Sequence, residues 1–161
     1  MAPTSAFHIL QGIETLSVRM NRHVENTREI VNFLMAQEQV DRVGYPELEG
    51  HPDQALAATL LPKGCGAVFS FDLSGGRPAG IAFVDALNVF SHLANIGDAK
   101  SLVIHPASTT HHRMDSKALA AGGIGEGTIR LSIGLEDVKD LIADLKQGLR
   151  AAGKVAKGAR S

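Results

Sequence analysis

One arginine in this sequence stands where it can grip a small anion. The segment Thr128-Ile129-Arg130-Leu131-Ser132-Ile133 alternates side chains in the two-residue rhythm of a strand, with Ile129, Leu131 and Ile133 on one face. Thr128, Arg130 and Ser132 share the other face. A guanidinium is costly to bury unless an anion meets it. Its planar fork also matches a carboxylate through two parallel hydrogen bonds. Spacing alone leaves two readings open: an arginine on a solvent-facing strand, or one lining a cleft that takes a small carboxylate. The glycine turn at 122–127 feeds directly into the strand, and a dense polar loop, His105-Pro106-Ala107-Ser108-Thr109-Thr110-His111-His112, precedes it. Both favour the cleft.

Other residue groups offer weaker chemistry. His105, His111 and His112, with Asp115 nearby, suggest a metal. A zinc site needs three or four ligands in a fixed geometry, such as two histidines one helical turn apart. This loop has neither that register nor a cysteine, so structural hydrogen bonds are the preferred reading and no metal site is assigned. Ser108 beside His111 or His112 lacks the G-x-S-x-G elbow of a nucleophilic serine. The cluster Gly122-Gly123-Ile124-Gly125-Glu126-Gly127 enters a strand, whereas a phosphate-binding loop leaves one and opens a helix. It reads as a flexible turn. Cys65, between Gly64 and Gly66, has only Lys63 as a basic neighbour and reads as a packing residue. None of the seven lysines (63, 100, 117, 139, 146, 154, 157) sits in an apolar setting that favours a nucleophilic amine.

The elements that hold these residues alternate along the chain. Apolar residues at Ile9, Ile13, Leu16, Met20, Val24, Val31 and Leu34 follow helical spacing, with Ser5 as a cap, and predict one long helix from Ser5 to about Glu38, within residues 1–38. Such a helix is longer than a compact domain of this size, roughly 30 Å across. Either it breaks, at Gly12 or near Asn26-Thr27, or it began against a further domain. Strands are expected at 40–44, 66–72, 101–104 and 128–133, and helices at 51–61, 78–93 and 136–150. In the last of these, Val138, Leu141, Ile142, Leu145 and Leu149 form the buried stripe, and Glu136 and Asp137 lie in the first turn, favourable to the dipole. Residues 151–161 carry no such stripe and read as a frayed tail. About four mostly antiparallel strands covered by helices make the expected class α+β.

Composition excludes several functions. A chain of 161 residues with 44% hydrophobic residues and mean hydropathy +0.03 builds one core. It has no apolar run near the roughly 18–20 residues that span a bilayer. The opening Met1-Ala2-Pro3-Thr4-Ser5 shows no secretory signal. A net charge of −1 with interspersed signs gives no nucleic-acid footprint. A single cysteine fits a reducing cytoplasm, the expected location.

Three strings in order carry a resemblance: LQGIETLSVRMNRHVEN at 10–26, NIGDAKSLVIHPASTTH at 95–111 and IRLSIGLEDVKDLIADLKQGL at 129–149. Together they resemble the C-terminal region of the Cys/Met-metabolism family of pyridoxal-phosphate enzymes. The resemblance implies the small C-terminal domain of a fold-type-I enzyme: an interdomain helix at 1–38 and a substrate-carboxylate-binding domain at 39–150. Asn95 and Lys100 are similar to the O-acetylhomoserine sulfhydrylase branch; lyases and cystathionine-forming members tend to carry serine and glutamate there. That branch joins sulfide or methanethiol to O-acetyl-L-homoserine, giving homocysteine or methionine and acetate. A cystathionine gamma-synthase or methionine gamma-lyase type is the alternative, as is a non-catalytic binding module that kept the fold.

The same resemblance implies that Arg130 clamps the substrate α-carboxylate, that Asn95 helps hold it, and that Thr110 lies in the loop beside the substrate. No Ser-x-Thr-Lys string, the family's setting for the cofactor lysine, occurs in the sequence. The implied cofactor, pyridoxal phosphate, is therefore held by an N-terminal portion that is a partner to this chain. No residue here is assigned a catalytic or cofactor-holding role. The other implied partners are an amino-acid substrate and further copies of the enzyme, a homotetramer in the family.

Overall fold

A computed structural model describes residues 1–158. Helix α1 (Pro3–Glu14) and helix α2 (Leu16–Met35) follow one another with a single-residue interruption at Thr15. The expected single helix over 1–38 is thus two, and the break lies at neither Gly12 nor Asn26-Thr27. Its cause is local. The Thr15 hydroxyl donates back to the Gln11 carbonyl at 3.1 Å, and Arg19 Nη2 donates to the Gly12 carbonyl at 2.6 Å. Such back-bonding competes with the ladder and bends a helix. Asn26 and Thr27 instead lie buried within α2.

The chain then forms β1 (Val40–Gly44), α3 (Gln54–Leu60), β2 (Val68–Leu73), α4 (Gly76–Asp85), β3 (Ser91–His92) and β4 (Leu102–Ile104). A 3-10 turn at Pro106–Ser108, α5 (Ser116–Ala121), β5 (Thr128–Ser132) and α6 (Val138–Gly158) complete it. The five strands make one sheet in the order β1-β2-β5-β4-β3, antiparallel except for the β3–β4 pair. The α+β class stands, with one strand more than expected.

Three local departures from the sequence pattern have identifiable causes. Helix α4 ends at Asp85 instead of running to residue 93, because the backbone N–H groups of Asn88, Val89 and Phe90 all donate to the Asp144 carboxylate. That capture frees Ser91 and His92 to pair with β4. Helix α5 was not expected; Asp115 caps it by accepting from the Ala118 N–H at 2.8 Å. The tail expected to fray continues α6 to Gly158, with Ala152 buried. Its small residues permit close packing: a Cβ on Gly75 would meet the Ala156 Cβ at 2.8 Å. Residues 159–161 of that tail lie outside the described residues.

Helices cover one face of the sheet. Phe69, Phe71 and Leu73 of β2, and Ile129 and Leu131 of β5, point into a core with α2, α4 and α6. Cross-strand partners share a face in such a ladder. The register Ser70–Arg130 and Asp72–Thr128 therefore gathers polar residues on the opposite face, where Val68 pairs with Ser132. Among the described residues no helix is long and apolar enough to cross a membrane.

Candidate functional site

Arg130 stands mid-strand on this second face, between Ser70 of β2 and Ile104 of β4, and is half-buried. Its Nη2 donates to the backbone carbonyl of Asn95 at 3.4 Å, a long bond. The acid along the same face, Asp72, is already engaged. It accepts from Arg42 Nε at 3.0 Å and from the Thr128 hydroxyl at 2.5 Å. Thr128 Oγ1 in turn accepts from the Gly125 N–H at 2.8 Å, fixing the glycine turn to the start of β5. Among the described residues no carboxylate forms an ion pair with Arg130. Most of its five donors remain available to an anion on this face.

Asn95 reaches Arg130 through its main chain. Its own side-chain oxygen accepts from the Ile96 N–H at 2.8 Å, and the residue is exposed. Beyond it, Ile96, Val68, Ser132, Met20 and His23 help line a hollow of about 290 Å³. A larger hollow of about 560 Å³ lies against Glu38, Asp41, Arg150 and Lys154, and contains none of the expected site residues. Thr110 is exposed, its hydroxyl paired with His111 Nδ1 at 2.8 Å. Among the described residues no hydrogen bond joins Thr110 to Arg130 or Asn95. The structure thus brings together two of the three expected residues.

The histidine loop is held by hydrogen bonds. His105 is buried: its Nε2 lies 2.8 Å from the Glu126 carbonyl, and its Nδ1 2.8 Å from the Ser108 hydroxyl. A carbonyl only accepts, so Nε2 carries the proton and Nδ1 accepts from Ser108. Burial holds the His105 pKa below its ordinary value. Ser108 therefore pairs with His105 and with neither His111 nor His112, in keeping with the missing nucleophile elbow. His112 Nδ1 lies 2.8 Å from the Thr109 carbonyl. Among the described residues no group of three or more His, Cys, Asp or Glu is placed to hold a metal. Burial, then the charge of Glu47, push the Cys65 thiol up. All seven lysines are exposed, so none offers the desolvated amine that a carbonyl cofactor uses for attachment. This chain alone does not fit the anchoring of such a group.

Sequence reasoning missed the residues that join the Asn95 loop to the Arg130 strand. Glu136 precedes α6, and Asp137 caps that helix by accepting from the Lys139 N–H at 2.8 Å. The Glu136 carboxylate turns instead toward Ser101.

Comparison with known proteins gives this geometry a context. The model of the Cys/Met metabolism PLP-dependent enzymes matches residues 1–150. The O-acetyl-L-homoserine sulfhydrylase of Corynebacterium glutamicum is 44% identical over 147 residues, which are 91% of this chain and 34% of that protein. The L-methionine gamma-lyase of Fusobacterium nucleatum subsp. polymorphum is 42% identical over 92% of this chain and 38% of its own length. The solved cystathionine gamma synthase of Xanthomonas oryzae pv. oryzae, in complex with aminoacrylate and cysteine, superposes with a TM-score of 0.85 at 44% identity. That match covers 95% of this chain and 39% of the synthase. The chain spans little more than a third of the length of the curated relatives it matches.

Proposed function

The chain belongs to the Cys/Met metabolism PLP-dependent enzyme family, and from that premise we propose that it is the C-terminal, carboxylate-binding part of an O-acetylhomoserine sulfhydrylase. The observation that carries the reading is Arg130, half-buried on the polar face of the sheet, tied to Asn95 and bound to no acid among the described residues. In its role, Arg130 grips the α-carboxylate of O-acetyl-L-homoserine with its planar fork. Asn95 fixes the angle of that fork by accepting one of its N–H groups through the main chain. Thr110 flanks the substrate from the loop after β4. Pyridoxal phosphate, when bound by the N-terminal portion, supplies the electron sink for chemistry at the substrate's γ-carbon. This chain supplies orientation, which converts part of the reaction's entropic barrier into binding.

The sulfhydrylase reading is supported by Asn95 and Lys100 and by the similarity to the Corynebacterium protein. A methionine gamma-lyase or cystathionine gamma-synthase type is the second reading, favoured by relatives of nearly equal identity.

The test joins this chain to the cofactor-binding portion of a family member. With O-acetyl-L-homoserine and sulfide, the joined protein is expected to release homocysteine and acetate. It should do so faster than it cleaves L-methionine or forms cystathionine from cysteine. The isolated chain, incubated with pyridoxal phosphate, should turn over none of these. Faster methionine cleavage, or sulfide-dependent homocysteine formation by the isolated chain, would overturn the reading.

A further inference from the structure

We propose that Glu136 is a positioning residue of the carboxylate site: its carboxylate ties the loop carrying Asn95 to the strand carrying Arg130 and sets their spacing. The tie is complete in hydrogen-bond terms. Glu136 Oε1 accepts from the Ser101 N–H at 2.8 Å, and Oε2 accepts from the Ser101 hydroxyl at 2.9 Å. The same hydroxyl oxygen accepts from the Gly134 N–H at 2.8 Å. Ser101 is fully buried and closes the loop that starts at Asn95. Gly134 lies four residues beyond Arg130. One carboxylate and one hydroxyl thus fix the ends of the two segments that meet at the Arg130–Asn95 bond.

The surroundings hold this junction from the other side. Asn26 Nδ2 donates to the carbonyls of Gly134 at 3.1 Å and Glu136 at 3.0 Å. His23 Nδ1 donates to the Ile133 carbonyl at 2.6 Å, anchoring α2 to the end of β5. The two main chains are also in direct contact. The Leu135 N–H donates to the Ala99 carbonyl at 2.9 Å, and a Cβ on Gly134 would stand 2.5 Å from that oxygen. A side chain at 134 would therefore force the segments apart. Glutamate suits its position because it presents two acceptors to two donors, and hydrogen bonds to a charged acceptor are about twice as strong as neutral ones. Glutamine keeps one of the two acceptors; alanine keeps neither.

The kinetic arm of this proposal rests on the carboxylate-clamp reading above; a second arm does not. In the joined protein, Glu136→Ala is expected to raise the KM for O-acetyl-L-homoserine about 5- to 20-fold, a fraction of the loss of a direct charge-assisted bond, with kcat within about twofold. Glu136→Gln should return KM to within about threefold of the parent. Ser101→Ala, which removes the bridge and leaves the carboxylate, should shift KM in the same direction and carries the test if Glu136→Ala does not fold. A purely structural role lowers the active fraction and hence the apparent kcat with KM unchanged, and that pattern would overturn the proposal.

In the 161-residue chain itself, Glu136→Ala should speed hydrogen exchange at the Ser101 and Gly134 amides and spare those of Phe71 and Leu131 in the core. Unchanged exchange at Ser101 and Gly134 also refutes the tie. Should the parent joined protein show no turnover, the functional reading fails, and the exchange arm still decides the tie.

Discussion

Arg130 was legible because strand alternation is a local signal: three apolar neighbours in register leave the guanidinium on the other face, between Thr128 and Ser132. Glu136 was not, because its partner Ser101 lies 35 residues away and the residue reads equally well as a helix-dipole acid. His105 illustrates the same limit. Its loop context favoured structural hydrogen bonds over a metal, but only the fold shows which partners satisfy the two ring nitrogens. That neutral ring has a consequence for stability. Burial lowers the folded pKa below the ordinary 6.5, so the unfolded chain takes up this proton first as pH falls. The stabilising contribution is complete above about pH 6.5 and fades as pH drops through the folded value. Thermal unfolding at about pH 7.5 and about pH 5.5 should show a smaller loss of Tm for His105→Gln, whose side chain cannot titrate, than for the parent. Equal losses would mean that the ring does not enter folding as a neutral group.

Elements were read well where one stripe or one alternation specified them, and poorly where a distant group ended them. The pattern placed β1 at its observed bounds and β5 within one residue. It overran α4 because Asp144, on α6, withdraws three backbone N–H groups that a longer helix would have used. Nothing within residues 78–93 announces that capture. Asp144 is buried, and its two oxygens accept the last three N–H groups of the turn between α4 and β3, those of Asn88, Val89 and Phe90. Replacing it with alanine leaves three donors without a carboxylate, and should cost about 1.5–3 kcal/mol or more in urea-induced unfolding. A change within about 0.5 kcal/mol, ordinary for a surface substitution, would show that water replaces the carboxylate at no cost. The two-residue β3 was invisible for a related reason: its register exists only through β4, whose strand it joins in parallel.

The whole molecule has two unequal surfaces. Its core is closed by α2, α4 and α6 against one face of the sheet, while α1 buries no residue at all. Phe7 is 59% exposed, and Ile9, Leu10 and Ile13 lie open beside it. Apolar side chains exposed in such a row mark a surface made to be covered. The overlong apolar helix in the sequence pointed to this. Residue spacing could not bring Arg130 to Asn95, because that needs two segments 35 residues apart to converge; only the family resemblance put the two at one carboxylate. Both surfaces are what the proposed function expects: an apolar helix for a further portion to cover, and a sheet face that presents Arg130.

The most direct measurement compares O-acetyl-L-homoserine with its carboxamide in the joined protein, before and after Arg130→Ala. Loss of a charge-assisted pair, about 1.5–3 kcal/mol, should lower kcat/KM for the acid roughly 10- to 150-fold and leave the amide nearly unchanged. An equal loss on both substrates, or none on the acid, would contradict the assignment of Arg130 as the carboxylate clamp.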